Sequence, residues 1–487
     1  MSKPLVLGAN TQGKHVHLFP SMGNRHGLIA GATGTGKTIT LQILAEAYSD
    51  IGVPVFTADV KGDLSGISQP AKSHLKIDER IEKIGIDGYQ ANGYPVRFWD
   101  IYGKTGHVVR TTIQDMGPDL LANLMELTEA QASILYIAFT YADDEGLPLL
   151  DLKDLKSLIS FLQDNAKDLR QDYGSMSTRS LGALQRKLLV LEEQGGDQFF
   201  GEPALSIHDF MQQVDGKGII NLLDGRDLIL NPGIYTTFLL WFLTELFEEL
   251  EEQGDADKPR FVFFFDEAHL LFDNAPKALL QRLEQVVRII RSKGVGVYFV
   301  TQSPSDIPDD VLGQLGNRIQ HALRAFTPKE KKAVRVAAQS FRENPDLDTE
   351  TVIMELGVGE ALVSVLDEEG VPTMVEQTLM VPPQSLIGPS KDNQRDEVID
   401  ASLVREKYDE DVDSVSAYEM LQVRRKEKEE KLQKMKEEEQ ELTSKNRKRN
   451  SRRQGYLEAF GKTLVRSLAS GVSRRILKTA IGAIARR

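Results

Sequence analysis

At 487 residues the chain is longer than one ordinary domain, and with 41% apolar residues it holds enough hydrophobic surface for a large buried core. The absence of cysteine excludes disulfides, thiolate metal centres and thiol nucleophiles. With no charged-then-apolar leader and no apolar run long enough to span a bilayer, the expected compartment is the cytoplasm. A net charge of -13 argues against a generic nucleic-acid binder, yet residues 445–487 hold 13 Lys/Arg against the single acid Glu458, so the charge is divided between an acidic body and a basic end.

In chain order, a buried strand is predicted over Gly27–Ala30, followed by Gly31-Ala32-Thr33-Gly34-Thr35-Gly36-Lys37-Thr38 and a helical pattern over Ile39–Tyr48. The octapeptide satisfies the G-x-x-x-x-G-K-S/T spacing in its strand-to-helix context. Glycines let such a loop turn tightly and bring backbone N–H groups against phosphate oxygens at a helix N-terminus. Lys37 is then placed to neutralise the β- and γ-phosphates, and Thr38 to set its hydroxyl on Mg²⁺, so ATP with Mg²⁺ is the expected ligand.

A second covered strand, Val53–Ala58, ends in the polar turn Asp59-Val60-Lys61-Gly62-Asp63. Residues 103–215 contain four helical patterns, Leu120–Leu127, Ala130–Tyr141, Leu152–Leu162 and Leu181–Glu193, and read as an α-helical insertion. Gly218–Leu223 then reads as a strand and Tyr235–Glu252 as a long helix. The five apolar residues Phe261–Phe265 predict a buried strand ending in Asp266 and Glu267, which alternation points in different directions. Asp266 suits the Mg²⁺ shell, and Glu267 suits the base that polarises water for attack on the γ-phosphate.

An amphipathic helix over Pro276–Lys293 carries Arg288 and Arg291, and the strand Val295–Val300 sets Thr301-Gln302 on the edge where open α/β sheets bind ligands. Gln302 is therefore a candidate γ-phosphate sensor. A guanidinium can bind the charge spread over transferring phosphoryl oxygens. Arg25, just before the first strand, lies at the opposite end of the sheet and is placed to serve a neighbour's nucleotide; Arg291 is the second candidate.

Thr327-Pro328-Lys329-Glu330 predicts a capped helix to about Phe341, and Ala361–Leu366 with Val371–Leu379 a hairpin. Pro382-Pro383 and Gly388-Pro389 close the core, and Lys426–Glu441 reads as a solvated helix or weak coiled coil. From Leu457 to Ile476 apolar residues recur every three to four positions among Lys and Arg, a basic amphipathic helix open to a membrane surface, to nucleic acid or to the acidic body. Covered strands alternating with helices predict an α/β fold with a mostly parallel sheet. The expected division is a core over 1–102 and 216–390, the insertion 103–215, a charged helical linker 391–444 and the basic tail 445–487.

The run Arg25-His26-Gly27-Leu28-Ile29-Ala30-Gly31, the turn Asp59-x-Lys61-Gly62-Asp63, Asp266-Glu267-Ala268-His269 and Thr301-Gln302-Ser303-Pro304 together resemble the HerA/FtsK superfamily of ring ATPases, and within it the YjgR-like, HerA-related bacterial proteins. The resemblance spans roughly residues 5–385. It implies a RecA-like P-loop core assembled as a hexamer, with ATP between subunits and DNA or another polymer in the pore. It also implies catalytic arginines at Arg25 and Arg291, with the choice of own or neighbouring nucleotide open for each. HerA proteins carry a β-barrel before the P-loop; with 30 residues ahead of Gly31, a nuclease partner contacted through such a barrel is not expected here. The leading expectation is an ATP-hydrolysing DNA translocase or helicase-like motor. The alternative is a nucleotide-driven switch that remodels a protein partner.

Overall fold

The computed structural model describes residues 3–228, 231–254, 256–274, 277–410 and 412–447. The strands are β1 (Leu5–Asn10), β2 (His15–Leu18), β3 (Gly27–Ala30), β4 (Val55–Asp59), β5 (Val96–Asp100), β6 (His107–Val108), β7 (Gln213–Val214), β8 (Lys217–Gly218), β9 (Ile220–Asp224), β10 (Phe261–Phe265), β11 (Val295–Thr301), β12 (Asn317–Gln320), β13 (Glu360–Ser364) and β14 (Glu376–Met380). Among the described residues twelve of these form one sheet in the order β2-β1-β14-β13-β12-β3-β11-β10-β4-β9-β5-β6. From β12 through β6 every neighbouring pair is parallel. The other end, β13, β14, β1 and β2, is antiparallel.

The central strands are mostly apolar because both faces are covered: every residue of β4, β10 and β11 is buried, Thr57, Asp59 and Thr301 included. On one face Phe56, Phe242 and Phe263 pack with ring centroids 4.6–5.6 Å apart. On the other, the helix α1 (Lys37–Asp50) buries Leu41, Leu44 and Tyr48, and the Tyr48 hydroxyl hydrogen-bonds to that of Tyr298 at 2.6 Å. Burying each such side chain contributes about 1.5–3 kcal/mol. The mixed α/β architecture with a mostly parallel sheet is thus the expected fold class.

Contacts divide the chain into two compact units, residues 1–126 with 191–413 and residues 127–190 with 414–487, so the expected insertion and linker are each split between them. Helix Ile113–Leu124 stays with the sheet because it buries Ile113, Met116 and Leu121 and packs on helix Pro232–Glu249. Residues 391–413 stay there because Tyr408 packs edge-on to Trp99, with centroids 5.3 Å apart, and hydrogen-bonds Asp209 at 2.5 Å.

The second unit holds helices Glu129–Glu145, Leu152–Asn165 and, but for its last residue, Thr178–Leu191. It also holds Ala417–Arg447, which begins well before the predicted Lys426 and buries Ala417 and Leu421. The basic amphipathic pattern of the tail lies outside the described residues from 448 onward. Among the described residues no helix is long and apolar enough to cross a membrane.

Candidate active site

Strand register sets the site. Phe265 of β10 pairs with Phe299 of β11, and Thr301 of β11 with Ala30 of β3, so all three strands end on one edge. The loop Gly31–Gly36 springs from β3, and Asp266-Glu267 from β10. Each flanks β11: the Gly31 N–H donates to the Thr301 carbonyl at 3.2 Å and the Ala268 N–H to that of Val300 at 2.9 Å.

The loop's glycines are demanded by its shape. Gly36 enters α1 at φ 118°, a left-handed backbone that side chains disfavour, and a Cβ on Gly31 would lie 2.5 Å from the Cβ of His321. Lys37 is buried and curls back, its Nζ donating to the carbonyls of Gly31 at 2.6 Å and Ala32 at 3.1 Å. Burial lowers its pKa, partly offset by the charge of Glu267. Beneath the loop His321 spans Glu360 and Thr40: its Nδ1 donates to the Glu360 carbonyl at 2.9 Å, which leaves Nε2 to accept the Thr40 hydroxyl at 2.8 Å.

Asp266 and Glu267 are both buried. One Asp266 oxygen accepts the Glu267 N–H at 3.0 Å, while Oδ2 has no hydrogen-bond partner among the described residues. Burial, with the adjoining negative charge of Glu267, pushes the Asp266 carboxyl up to about 7. Glu267 goes the other way. Burial alone would raise it, but the ammonium of Lys61, paired with Glu267 Oε1, holds it below the usual carboxylate value. Its backbone sits at φ 48°, a left-handed conformation costing a non-glycine residue about 1–2 kcal/mol and typical of functional turns.

Gln302 follows β11 directly and is exposed on the same edge, between the two motifs. The turn beyond it is tied back, Asp306 Oδ2 accepting the Thr301 hydroxyl at 2.7 Å and the Ser303 N–H at 2.9 Å. Thr38 is the second residue of α1.

Arg25 and Arg291 lie elsewhere. Each lies within four residues of the start of a parallel strand, Arg25 closing the 3₁₀ turn before β3 and Arg291 opening the one before β11, so both occupy the sheet edge opposite the phosphate loop. They lie near each other around His26, whose buried ring accepts the Val297 N–H at 3.0 Å and donates to the Val287 carbonyl at 2.8 Å. Burial, with the two guanidinium charges, lowers His26 to about 4. Arg288 is exposed on helix Lys277–Ile290.

Motif reading singled out the turn of Lys61 but missed its pairing with Glu267. The turn is built by Asp59, whose carboxylate accepts the N–H groups of Gly62 at 2.7 Å, Asp63 at 3.1 Å and Leu64 at 3.0 Å. Only the adjacency of β4 and β10 in the sheet brings that turn to Glu267.

Comparison with known proteins identifies the family and the fold. The profile of the family described as Helicase HerA-like C-terminal matches residues 5–487. The DNA double-strand break repair helicase HerA of Saccharolobus solfataricus is 22% identical over 346 residues, covering 70% of this chain and 61% of that protein. The protein of the same name from Sulfurisphaera tokodaii is 21% identical, covering 70% and 62%. The chain thus spans under two-thirds of the length of these relatives. Among solved structures, plasmid coupling protein TrwB in complex with ADP and Mg²⁺ superposes with a TM-score of 0.51 at 16% identity, over 80% of this chain and 94% of that one. VirB4 of Thermoanaerobacter pseudethanolicus gives 0.50 at 14%, over 78% and 97%. With a phosphate-loop motif and an Asp-Glu pair on one edge of a mostly parallel sheet, and a family profile matched along nearly its whole length, the chain belongs to the helicase HerA-like C-terminal family.

Proposed function

We propose that this protein hydrolyses ATP with Mg²⁺ in a ring of identical subunits, six on the HerA pattern, and uses the energy to move along DNA. The observation that carries the hydrolytic half is the convergence of the Gly31–Thr38 loop and Asp266-Glu267 on either side of β11. The backbone N–H groups of the loop cradle the phosphates, and Lys37 exchanges its two loop carbonyls for phosphate oxygens. Thr38 and Asp266 would hold Mg²⁺, and the buried, unpartnered Oδ2 of Asp266 fits that role. When bound, the ion neutralises charge on the phosphates; such sites use few protein ligands, so the lack of a three-residue His/Asp/Glu cluster among the described residues is in keeping with it. Glu267 polarises the attacking water, and Gln302 senses the γ-phosphate. Arg25 and Arg291, on the far edge, complete the site of the next subunit.

DNA as the polymer is supported by the relatives, named as DNA double-strand break repair helicases. On this reading the chain works in the cytoplasm. The test is ATP turnover with and without single- and double-stranded DNA at low salt, alongside Glu267→Gln. Turnover is expected to rise with DNA, and the variant to keep ATP binding while losing about a hundredfold or more in rate. A rate indifferent to both forms of DNA removes the DNA half; an undiminished Glu267→Gln removes the hydrolytic assignment.

A further inference from the structure

The Glu267 carboxylate treats its two oxygens differently. Oε1 is paired with the Lys61 ammonium, while Oε2 is buried without a hydrogen bond among the described residues, the Nδ1 of His269 lying 3.3 Å away without the geometry for one. The side chains are 7% and 39% exposed, so the contact sits at the mouth of the site with the carboxylate inside.

Both mounting points are fixed. The Lys61 turn is tied by three N–H groups on Asp59, with Gly62 at φ 75°, and the Glu267 peptide is anchored by hydrogen bonds from its own N–H to Asp266 and from the Ala268 N–H to β11. Lys37, the other ammonium that acts on Glu267, donates to the carbonyls of Gly31 and Ala32 and, on the reading above, to the phosphates once nucleotide binds, so it is not left to hold Glu267. A carboxylate facing a triphosphate is repelled by like charge and free to rotate about its last bond; a fixed cation on one oxygen opposes both.

We propose that Lys61 is a positioning residue for hydrolysis, pinning one oxygen of Glu267 so that the other faces the attacking water. The assignment rests on the ATPase reading above.

The test compares the ATP turnover of the full chain with Lys61→Met, Lys61→Arg, Glu267→Gln and the Lys61→Met/Glu267→Gln double variant. Lys61→Met is expected to lower kcat about tenfold or more, with KM for ATP nearly unchanged, since misplacing a general base forfeits part of its roughly hundredfold or larger contribution. Lys61→Arg, which restores a cation, is expected to recover most of the loss. The double variant is expected to be no slower than Glu267→Gln, because removing the base removes what Lys61 positions. A raised KM with kcat kept would mean that Lys61 holds nucleotide. A raised kcat would mean that it restrains the base, and losses that multiply would mean independent roles; each overturns the proposal. Wild-type turnover that depends on Glu267 but not on Lys61 sinks this inference alone, whereas turnover indifferent to Glu267 sinks the ATPase reading with it.

Discussion

His26 and His321 show how single residues tie both ends of β3 to acidity. Each ring is buried, makes one accepted and one donated hydrogen bond, and has its pKa pulled to about 4, chiefly by burial. Because the folded value lies below the unfolded one of about 6.5, the unfolded chain takes up the proton first as pH falls. The stability each ring contributes is therefore complete above about pH 6.5 and lost between there and pH 4, at about 1.4 kcal/mol per unit. Buried carboxyls with raised values, such as Asp266 at about 7 and Asp59 at about 6, slope the opposite way, so the histidine effect is isolated by difference. Urea unfolding of wild type and His321→Gln from pH 7.5 to 4.5 is expected to show the wild type's margin shrinking steadily with acid. A margin independent of pH would mean that His321 is not held neutral.

At the scale of elements, strands covered on both faces and the Gly-rich loop were legible because their signals are local: β3 and β10 are unbroken apolar runs, β4 and β11 mostly apolar ones, and the hairpin of β13 and β14 is marked by Asp367 and Gly370. The motifs also brought the Lys37-Thr38 loop and Asp266-Glu267 to one site, but pairings that carry no motif were not legible. The turn of Lys61 was legible only as a polar turn on the ligand edge, not as a partner of Glu267, and Arg25 and Arg291 both act on His26 only because β3 and β11 are neighbours. The Lys/Glu stretch from Lys426 is a solvated helix as read, but the start of helix Ala417–Arg447 was not legible, because its anchor is in part an aspartate in another helix. Asp154 is fully buried in helix Leu152–Asn165. One of its oxygens accepts the Ser416 hydroxyl at 2.5 Å and the Tyr418 N–H at 2.7 Å, and the other the N–H groups of Leu150 at 2.8 Å and Asp151 at 3.0 Å. Asp154→Ala strips the partner from four donors and is expected to cost about 2–4 kcal/mol locally. Limited trypsin digestion should then cut first near Arg424, Arg425 and Lys426; digestion at an unchanged rate would mean that the helix is held by its other contacts, the buried Ala417 and Leu421 and the pairs of Arg424 with Glu145 and Arg425 with Asp164.

For the whole molecule, the placement of charge on the two sheet edges suits the proposed ring. The phosphate loop, Asp266 and Glu267 occupy one edge and Arg25 and Arg291 the other, so no subunit brings its own arginines to its own Lys37. A head-to-tail interface that repeats and closes would join the two edges of successive subunits. Lys37→Ala and the Arg25→Ala/Arg291→Ala double variant should each be nearly inactive. Mixed in equal amounts under conditions of subunit exchange, they place an intact phosphate loop against intact arginines at about a quarter of random interfaces. Turnover is therefore expected to return on mixing, towards about that fraction of wild type if interfaces fire independently. Arginines acting within their own subunit would give no complete site in any mixture, so a mixture as inactive as its components would overturn the trans assignment, and a double arginine variant that keeps its turnover would return both to an ordinary surface role.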